Sequence, residues 1–315
     1  MEKHYIGIDL GGTFIKGGII DLNGKVIYNT KTPTEVNKGS TAVVTNIANL
    51  IKTLAEKDGR EVCSYKKVGI AVPGMIDDKA GVVVMAGNFG WKNFPLKQEL
   101  EKLLPLEIII SNDANVAALG EACFGAGAKY NDSVFITLGT GVGGGIIIDK
   151  KIFSGYRSAG AEIGHMIIAY DGEQCTCGNK GCFEAYSSAT ALIRDTKREM
   201  QSNKNSAMWN AGGLDKVDGK TAFDYYACDK SAKKVVDNYI TMLGVGIVNV
   251  ANIFRPEVIM LGGGVCGQGE KLVKPLQEYL DKHIFAGDLG PHVPITIATL
   301  GNDAGFIGAA AMCKE

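Results

Sequence analysis

IGIDLGGTFIKGGII, residues 6–20, and VFITLGTGVGGGIII, residues 134–148, follow one plan. Each is a β-rich run, a glycine turn carrying a threonine, and a second β-rich run. In the first copy His4–Leu10 and Phe14–Asp21 predict strands joined by Gly11-Gly12-Thr13. In the second, Ser133–Leu138 and Gly144–Asp149 predict strands around Gly139-Thr140-Gly141-Val142-Gly143. A tight glycine turn exposes backbone N–H groups and a hydroxyl, a combination that can cradle phosphate oxygens. An ordinary hairpin turn is the other reading of the same residues. Asp9, ending the first strand, is placed to hold Mg²⁺ through water, whereas Lys16 reads as a surface lysine. The second copy formally contains G-x-G-x-x-G at Gly139, Gly141 and Gly144. A dinucleotide fold requires that turn to run from strand into helix, and here it runs into Gly145-Ile146-Ile147-Ile148-Asp149, a strand. No Walker P-loop occurs anywhere in the chain.

Between and beyond the two copies, strands and helices alternate. Asn23-Gly24 signals a two-residue hairpin into a strand at Lys25–Thr32. Ser40–Lys57 carries Val43, Ile47, Leu50, Ile51 and Leu54 at helical spacing behind a serine cap. Strands are expected at Lys67–Val72, before the Pro73-Gly74 turn, and at Val82–Met85, followed by a loop at Gly87-Asn88-Phe89-Gly90-Trp91. Those aromatics suit either core packing or the edge of a sugar site. A helix at Pro95–Leu104 leads to a strand at Leu106–Ser111. Asn112-Asp113-Ala114-Asn115 then opens a helix over Val116–Phe124. Asp and Asn there are either caps or, for Asp113, a catalytic base at a strand's carboxyl end, where open α/β sheets bind ligands. Later come helices at Phe183–Met200, Ser231–Phe254 (stopped by Pro256), Glu270–Phe285 and Asn302–Cys313. Gln201–Gly219 reads as a polar surface loop, and strands fall at Glu257–Leu261 and Ile295–Leu300. Gly262-Gly263-Gly264 joins strand to helix and either packs tightly or admits a flat ligand such as adenosine.

The chain's 315 residues favour two domains over one core. Hydrophobic residues make up 46%, as in a globular protein, and 33 basic residues nearly balance 34 acidic ones. That balance offers no electrostatic footprint for nucleic acid or an anionic membrane. The start, MEKHYIGIDLGG, lacks a signal-peptide pattern, because Asp9 interrupts the apolar run. The longest apolar stretch, Val134–Ile148, is too short for a bilayer and too rich in glycine. A cytoplasmic protein with reduced thiols is the expectation.

Three of the eight cysteines lie in Gly160–Glu184, GAEIGHMIIAYDGEQCTCGNKGCFE. Cys175, Cys177 and Cys182, with His165 upstream, offer the thiolate and imidazole set of a closed structural zinc site. Gly178 and Gly181 allow the sharp turns needed for three sulfurs to converge. Three incidental cysteines are the bland alternative to that spacing. Glu162 and Glu184 flank the cluster, so a metal that pins the loop also holds two carboxylates still. Cys63, Cys123, Cys228, Cys266 and Cys313 read as small buried apolar residues.

Two phosphate hairpins, an aspartate between them and a third glycine turn near the end resemble the actin, Hsp70 and sugar-kinase superfamily. IGIDLGGT, GNFGW, NDANVAALGE, LGTGVGGGI, AGAEIGH, CTCGNKGCFE and MLGGGV resemble the ROK family, most closely its zinc-bearing bacterial glucokinases, over residues 5–313, with no departure at these motifs. The resemblance implies a two-lobed α/β fold of the actin/Hsp70/hexokinase (ribonuclease H-like) type with an interlobe cleft. The smaller lobe would be 1–112 plus 299–315, and the larger 113–298. It implies ATP-dependent phosphorylation of glucose at the 6-hydroxyl, with ATP and Mg²⁺ bound and Zn²⁺ structural. Asp9, Gly11, Gly12, Thr13, Thr140 and Gly141 would serve the phosphates, and Gly262, Gly263 and Gly264 adenosine. Asn88, Asn112, Asp113, Glu162, His165 and Glu184 would bind the sugar, with Asp113 as general base and His165 serving metal and sugar alike. A homodimer is implied, with no nucleic-acid or membrane partner. N-Acetylmannosamine, fructose, allose or mannose are alternative acceptors, and polyphosphate an alternative donor. A sugar-responsive transcriptional regulator of the same family is the rival from another class. Those members carry an added N-terminal helix-turn-helix domain, for which a phosphate strand beginning at His4 leaves no room. An actin- or chaperone-like nucleotide switch would share the hairpins but lack the cysteine cluster.

Overall fold

The computed structural model describes residues 3–314. Strands β1 (Tyr5–Leu10), β2 (Phe14–Ile20), β3 (Val26–Pro33), β4 (Lys67–Val72), β5 (Met75–Asp77), β6 (Val82–Ala86), β7 (Trp91–Phe94) and β8 (Glu107–Asn112) precede the second glycine hairpin. That hairpin is β9 (Ser133–Leu138) and β10 (Val142–Ile148), followed by β11 (Lys151–Phe153), β12 (Val258–Gly262) and β13 (Ile295–Ile297). The helices are α1 (Ser40–Lys57), α2 (Leu96–Glu101), α3 (Asp113–Phe124), α4 (Glu184–Ser187), α5 (Ala189–Ser202), α6 (Thr221–Asp224), α7 (Lys230–Phe254), α8 (Glu270–His283) and α9 (Ala304–Ala311).

The duplication read from the two hairpins extends to whole sheets. One has the order β3-β2-β1-β4-β8 and the other β11-β10-β9-β12-β13, so each places its first strand centrally, hairpin on one side and later strands on the other. A small β5-β6-β7 sheet is inserted in the first half. β1, β4 and β8 run parallel, with Asp9, Ala71 and Ser111 in one row. Their carboxyl ends therefore share one edge. Asp9 and the Asn112-Asp113 junction lie there two strand spacings apart, about 10 Å. α1 buries Val43, Ile47, Leu50, Ile51 and Leu54 with Ile6, Ile8, Ile15 and Ile19 of the first sheet, as its periodicity predicts.

The chain divides into two compact units. One holds 1–135, 145–161 and 299–315, and the other 136–144 and 162–298. The sequence boundary after residue 112 is thus displaced, and α3 stays with the first unit. The reason is close helix packing: a Cβ on Gly308 of α9 would meet the Val116 carbonyl oxygen of α3 at 1.9 Å. α3 also lies on β10, where a Cβ on Gly145 would meet Ala118 Cβ at 2.4 Å.

Glu121 of α3, fully buried, anchors the returning chain. Its carboxylate accepts the backbone N–H groups of Leu300 at 2.7 Å, Ala126 at 2.9 Å and Thr299 at 3.1 Å. No local sequence signal marks it, because two of the donors lie far along the chain. Glu121→Ala should strip three backbone N–H groups of their acceptor. The expected loss is about 3 kcal/mol of unfolding free energy, seen as a lower urea midpoint. An unchanged midpoint would contradict this accounting.

Several element boundaries differ from the sequence reading. Ser40 is the first helical residue of α1, with Gly39 at the cap and no side-chain cap bond. The Asn23-Gly24 turn is wider than two residues, because Asp21 Oδ1 accepts the N–H groups of Asn23 and Lys25. The single helix expected over Phe183–Met200 breaks at Ser188, whose extended backbone (φ −75, ψ 162) caps α5 through its side chain. Helix 95–104 shortens to α2, and helix 302–313 to α9. Residues 201–219 are less of a surface loop than their polarity suggests. Ser206 caps a short 3-10 turn there and Met208 is fully buried. Among the cysteines read as buried, Cys266 and Cys313 are, Cys123 is half-buried, and Cys63 and Cys228 are exposed. No helix among the described residues is long and apolar enough to cross a membrane.

Candidate active site and metal centre

In the first unit, the β1–β2 turn is closed by Gly11 N–H donating to the Phe14 carbonyl at 3.1 Å. Buried Thr34 grips it from behind, donating its hydroxyl to the Gly11 carbonyl at 2.6 Å and its N–H to the Thr13 carbonyl at 3.0 Å. Gly12 and Thr13 are left exposed. Asp9 sits opposite Lys16 in the ladder. Burial pushes its carboxyl above the usual range, with the Lys16 charge working the other way. Lys16, read as a surface lysine, is half-buried, and its Nζ donates to the Asn302 carbonyl at 3.1 Å.

Asn112 turns out to be the cap that its type suggests. Its Oδ1 accepts from the N–H groups of Ala114 and Asn115, at 3.0 and 3.1 Å, and Nδ2 donates to the Gly74 carbonyl at 3.0 Å. One amide hydrogen is left over for a ligand. Asp113, first residue of α3 and half-buried, accepts the Ala114 N–H at 2.8 Å through Oδ1. Its carboxylate lies at the N-terminal end of α3, where the helix dipole favours negative charge. Asn88 is exposed on a short turn. Its aromatic neighbours are core rather than a sugar platform. Phe89 and Trp91 are 8% and 5% exposed, and Trp91 stacks on Phe94 at 4.5 Å.

In the second unit, the 139–141 turn closes on itself through Gly139 N–H and the Gly141 carbonyl, 3.0 Å apart. Gly263, in the third turn, has φ 93, and a Cβ there would meet the Leu138 carbonyl oxygen at 2.5 Å. Tight packing therefore explains Gly263. It also leaves the backbone of Gly263 and Gly264 exposed.

The cysteine loop brings together a set of groups that could hold a metal ion. His165, Cys175, Cys177 and Cys182 bring their donor atoms within 4.8 Å of one another. Cys177 Sγ and Cys182 Sγ are 3.6 Å apart, and Cys175 Sγ and His165 Nδ1 are 3.7 Å apart. A tetrahedral zinc site with Zn–S of about 2.3 Å has sulfur–sulfur edges of about 3.8 Å, so the donors stand at ligand spacing. The Asn179 N–H beside Cys177 lowers its thiol, while burial pushes Cys182 up to about 12, reinforced by the neighbouring thiols. Gly181 has to be glycine: its φ is 80, and a Cβ would meet the Ala169 carbonyl oxygen at 1.7 Å. Glu162 is exposed just before His165, and His165 N–H donates to its carbonyl at 3.0 Å. Glu184 follows the loop, half-buried. With His165 Nδ1 turned to the sulfurs, Nε2 remains for another partner.

Residues 5–315 match the ROK family. The chain belongs to the ROK family. Among its ROK relatives, the glucokinase of Halalkalibacterium halodurans is 37% identical, over 100% of this chain and 96% of its own. That of Thermotoga maritima is 36% identical, over 98% and 97%. A solved ROK glucokinase from Streptomyces griseus, in complex with glucose and AMPPNP, has a TM-score of 0.81 at 34% identity, covering 98% of this chain and 99% of that one. The fold is thus that of the ROK glucokinases, the two-lobed actin-like sugar-kinase fold expected from the duplicated hairpins.

Proposed function

We infer that this chain is a glucokinase, transferring the γ-phosphoryl group of ATP to the 6-hydroxyl of glucose. Full-length similarity to ROK glucokinases supports it, one of them solved with glucose and AMPPNP. The observation that carries the reading is the shared sheet edge, where Asp9, on the strand that leads into the Gly11–Thr13 turn, and the Asn112-Asp113 junction lie two strand spacings, about 10 Å, apart.

Phosphoryl transfer demands positioning and charge neutralisation more than covalent chemistry. Around the turn that Gly11 closes, the N–H groups of Gly12 and Thr13, with those of Thr140 and Gly141 in the second hairpin, supply donors for phosphate oxygens, and the exposed backbone of Gly263 and Gly264, next to buried Gly262, takes adenosine. Asp9 would hold Mg²⁺ through water, neutralising charge on the β- and γ-phosphates. Asn88, Asn112, Glu162, His165 Nε2 and Glu184 orient the sugar hydroxyls, Glu184 nearest the anomeric one. The 6-hydroxyl attacks phosphorus in line as Asp113 takes its proton, and ADP leaves. Zn²⁺ bound by His165, Cys175, Cys177 and Cys182 would act structurally, stiffening the sugar wall. A cytoplasmic homodimer is proposed from the family resemblance.

A coupled assay across hexoses and donors tests the specificity. kcat/KM should be highest for glucose among glucose, mannose, fructose, allose and N-acetylmannosamine, and higher with ATP than with polyphosphate. A preference for another hexose of tenfold or more would move the assignment to that sugar, since pocket shape decides between epimers.

A further inference from the structure

Glu184 does more than face the sugar. Its Oε2 accepts the Val142 N–H at 3.0 Å, directly after the 139–141 turn. Its Oε1 accepts the Thr176 hydroxyl at 3.2 Å, with Cys175 Sγ 3.8 Å away. The carboxylate occupies the place a side chain at 141 would take, for a Cβ on Gly141 would meet Oε2 at 2.2 Å. Just beyond, the start of α5 grips the same turn by its carbonyls. Ala189 N–H donates to the Gly139 carbonyl at 2.8 Å, and the Thr190 hydroxyl to the Thr140 carbonyl at 2.7 Å. Residues 184–190, which leave the cysteine loop, therefore hold the turn at three points, and all of them belong to the second unit.

We propose that Glu184 and Thr190 are positioning residues for the phosphoryl donor, fixing the Gly139–Gly141 turn. Because the same segment leaves the cysteine loop, order in that loop is felt at the nucleotide as well as the sugar. This rests on reading 139–141 as a phosphate turn. A carboxylate has about four acceptor sites, so bonds to Val142 and Thr176 leave Glu184 capacity for a sugar hydroxyl. A turn whose N–H groups are pre-aimed binds phosphate without an ordering cost, and one cut loose has to be ordered on binding.

The test is the affinity of the zinc-loaded protein for a fluorescent ATP analogue, titrated with Mg²⁺ but without sugar. Glu184→Ala should weaken it about tenfold, the worth of a lost bond to a charged acceptor. Glu184→Gln keeps a carbonyl oxygen for Val142 and should stay within about threefold of the parent chain, although both variants lose glucose affinity. Thr190→Val, which lies outside the proposed sugar contacts, should weaken the nucleotide with glucose affinity unchanged. Parent-like affinity in both Glu184→Ala and Thr190→Val would overturn the positioning role. Loss in Thr190→Val of glucose affinity equal to its nucleotide loss would overturn it too, showing general loosening. A parent chain that binds no ATP analogue would instead remove the phosphate-turn reading beneath it.

Discussion

Asp113→Asn is expected to lower kcat for glucose phosphorylation by about 10²–10⁴, the usual worth of a positioned base. The fold should survive, because Asn Oδ1 can accept the Ala114 N–H as the carboxylate does. Glucose and ATP should bind with near-parental affinity, so the loss should fall on kcat and leave KM nearly unchanged. That split matters because Asn112 and Asp113 both cap α3. A variant that merely frayed the helix would raise KM and lower the melting temperature together. Near-normal turnover by Asp113→Asn would remove the base from the mechanism.

Removal of the zinc ion proposed for the cysteine loop is expected to have the second largest effect. Four donors, three of them thiols, lie within 4.8 Å of one another, so an ion bound among them would cross-link His165 to the Cys175–Cys182 turn. The loop's backbone ties hold it mainly to itself: two isolated bridges, Ile167 with Cys182 and Gln174 with Lys180, and bonds such as Ile168 N–H to the Gly181 carbonyl and Phe183 N–H to the Met166 carbonyl. Where a structural ion is the main cross-link, its binding free energy is folding free energy. A strong chelator should therefore release residues 162–184 to fast amide exchange while β1, β4 and β8 stay protected. Glucose affinity should fall at least tenfold with it, because Glu162, His165 and Glu184, the sugar ligands proposed above, lose their fixed positions. Protein stripped of metal that binds glucose unchanged would separate the ion from the sugar site.

The sequence shows most clearly what is local. Glycine turns between β-rich runs declared both hairpins, and the Cys-x-Cys-Gly-x-x-Gly-Cys spacing declared the donor set, because both depend on residues a few positions apart. α1 and β4 match their predicted bounds because apolar periodicity or an unbroken apolar run defines them. What depends on distant partners was invisible. Nothing near Glu121 foretells that it binds Thr299 and Leu300, and nothing near Glu184 that it binds Val142. Helix α3 was assigned across a domain boundary because its glycine contact with α9 is non-local. Ser188 looked helical because its neighbours are, but its side chain serves as a cap and breaks the run. Short strands such as β5, β7 and β11 escaped because three or four residues carry too little alternation to be seen.

The most direct test is the sugar dependence of ATP turnover by the purified chain. ADP release should be slow with ATP and Mg²⁺ alone, and should rise at least a hundredfold when glucose is added, matched mole for mole by glucose 6-phosphate. Hydrolysis at one rate with or without any hexose would identify a nucleotide switch on the same fold and contradict the kinase reading.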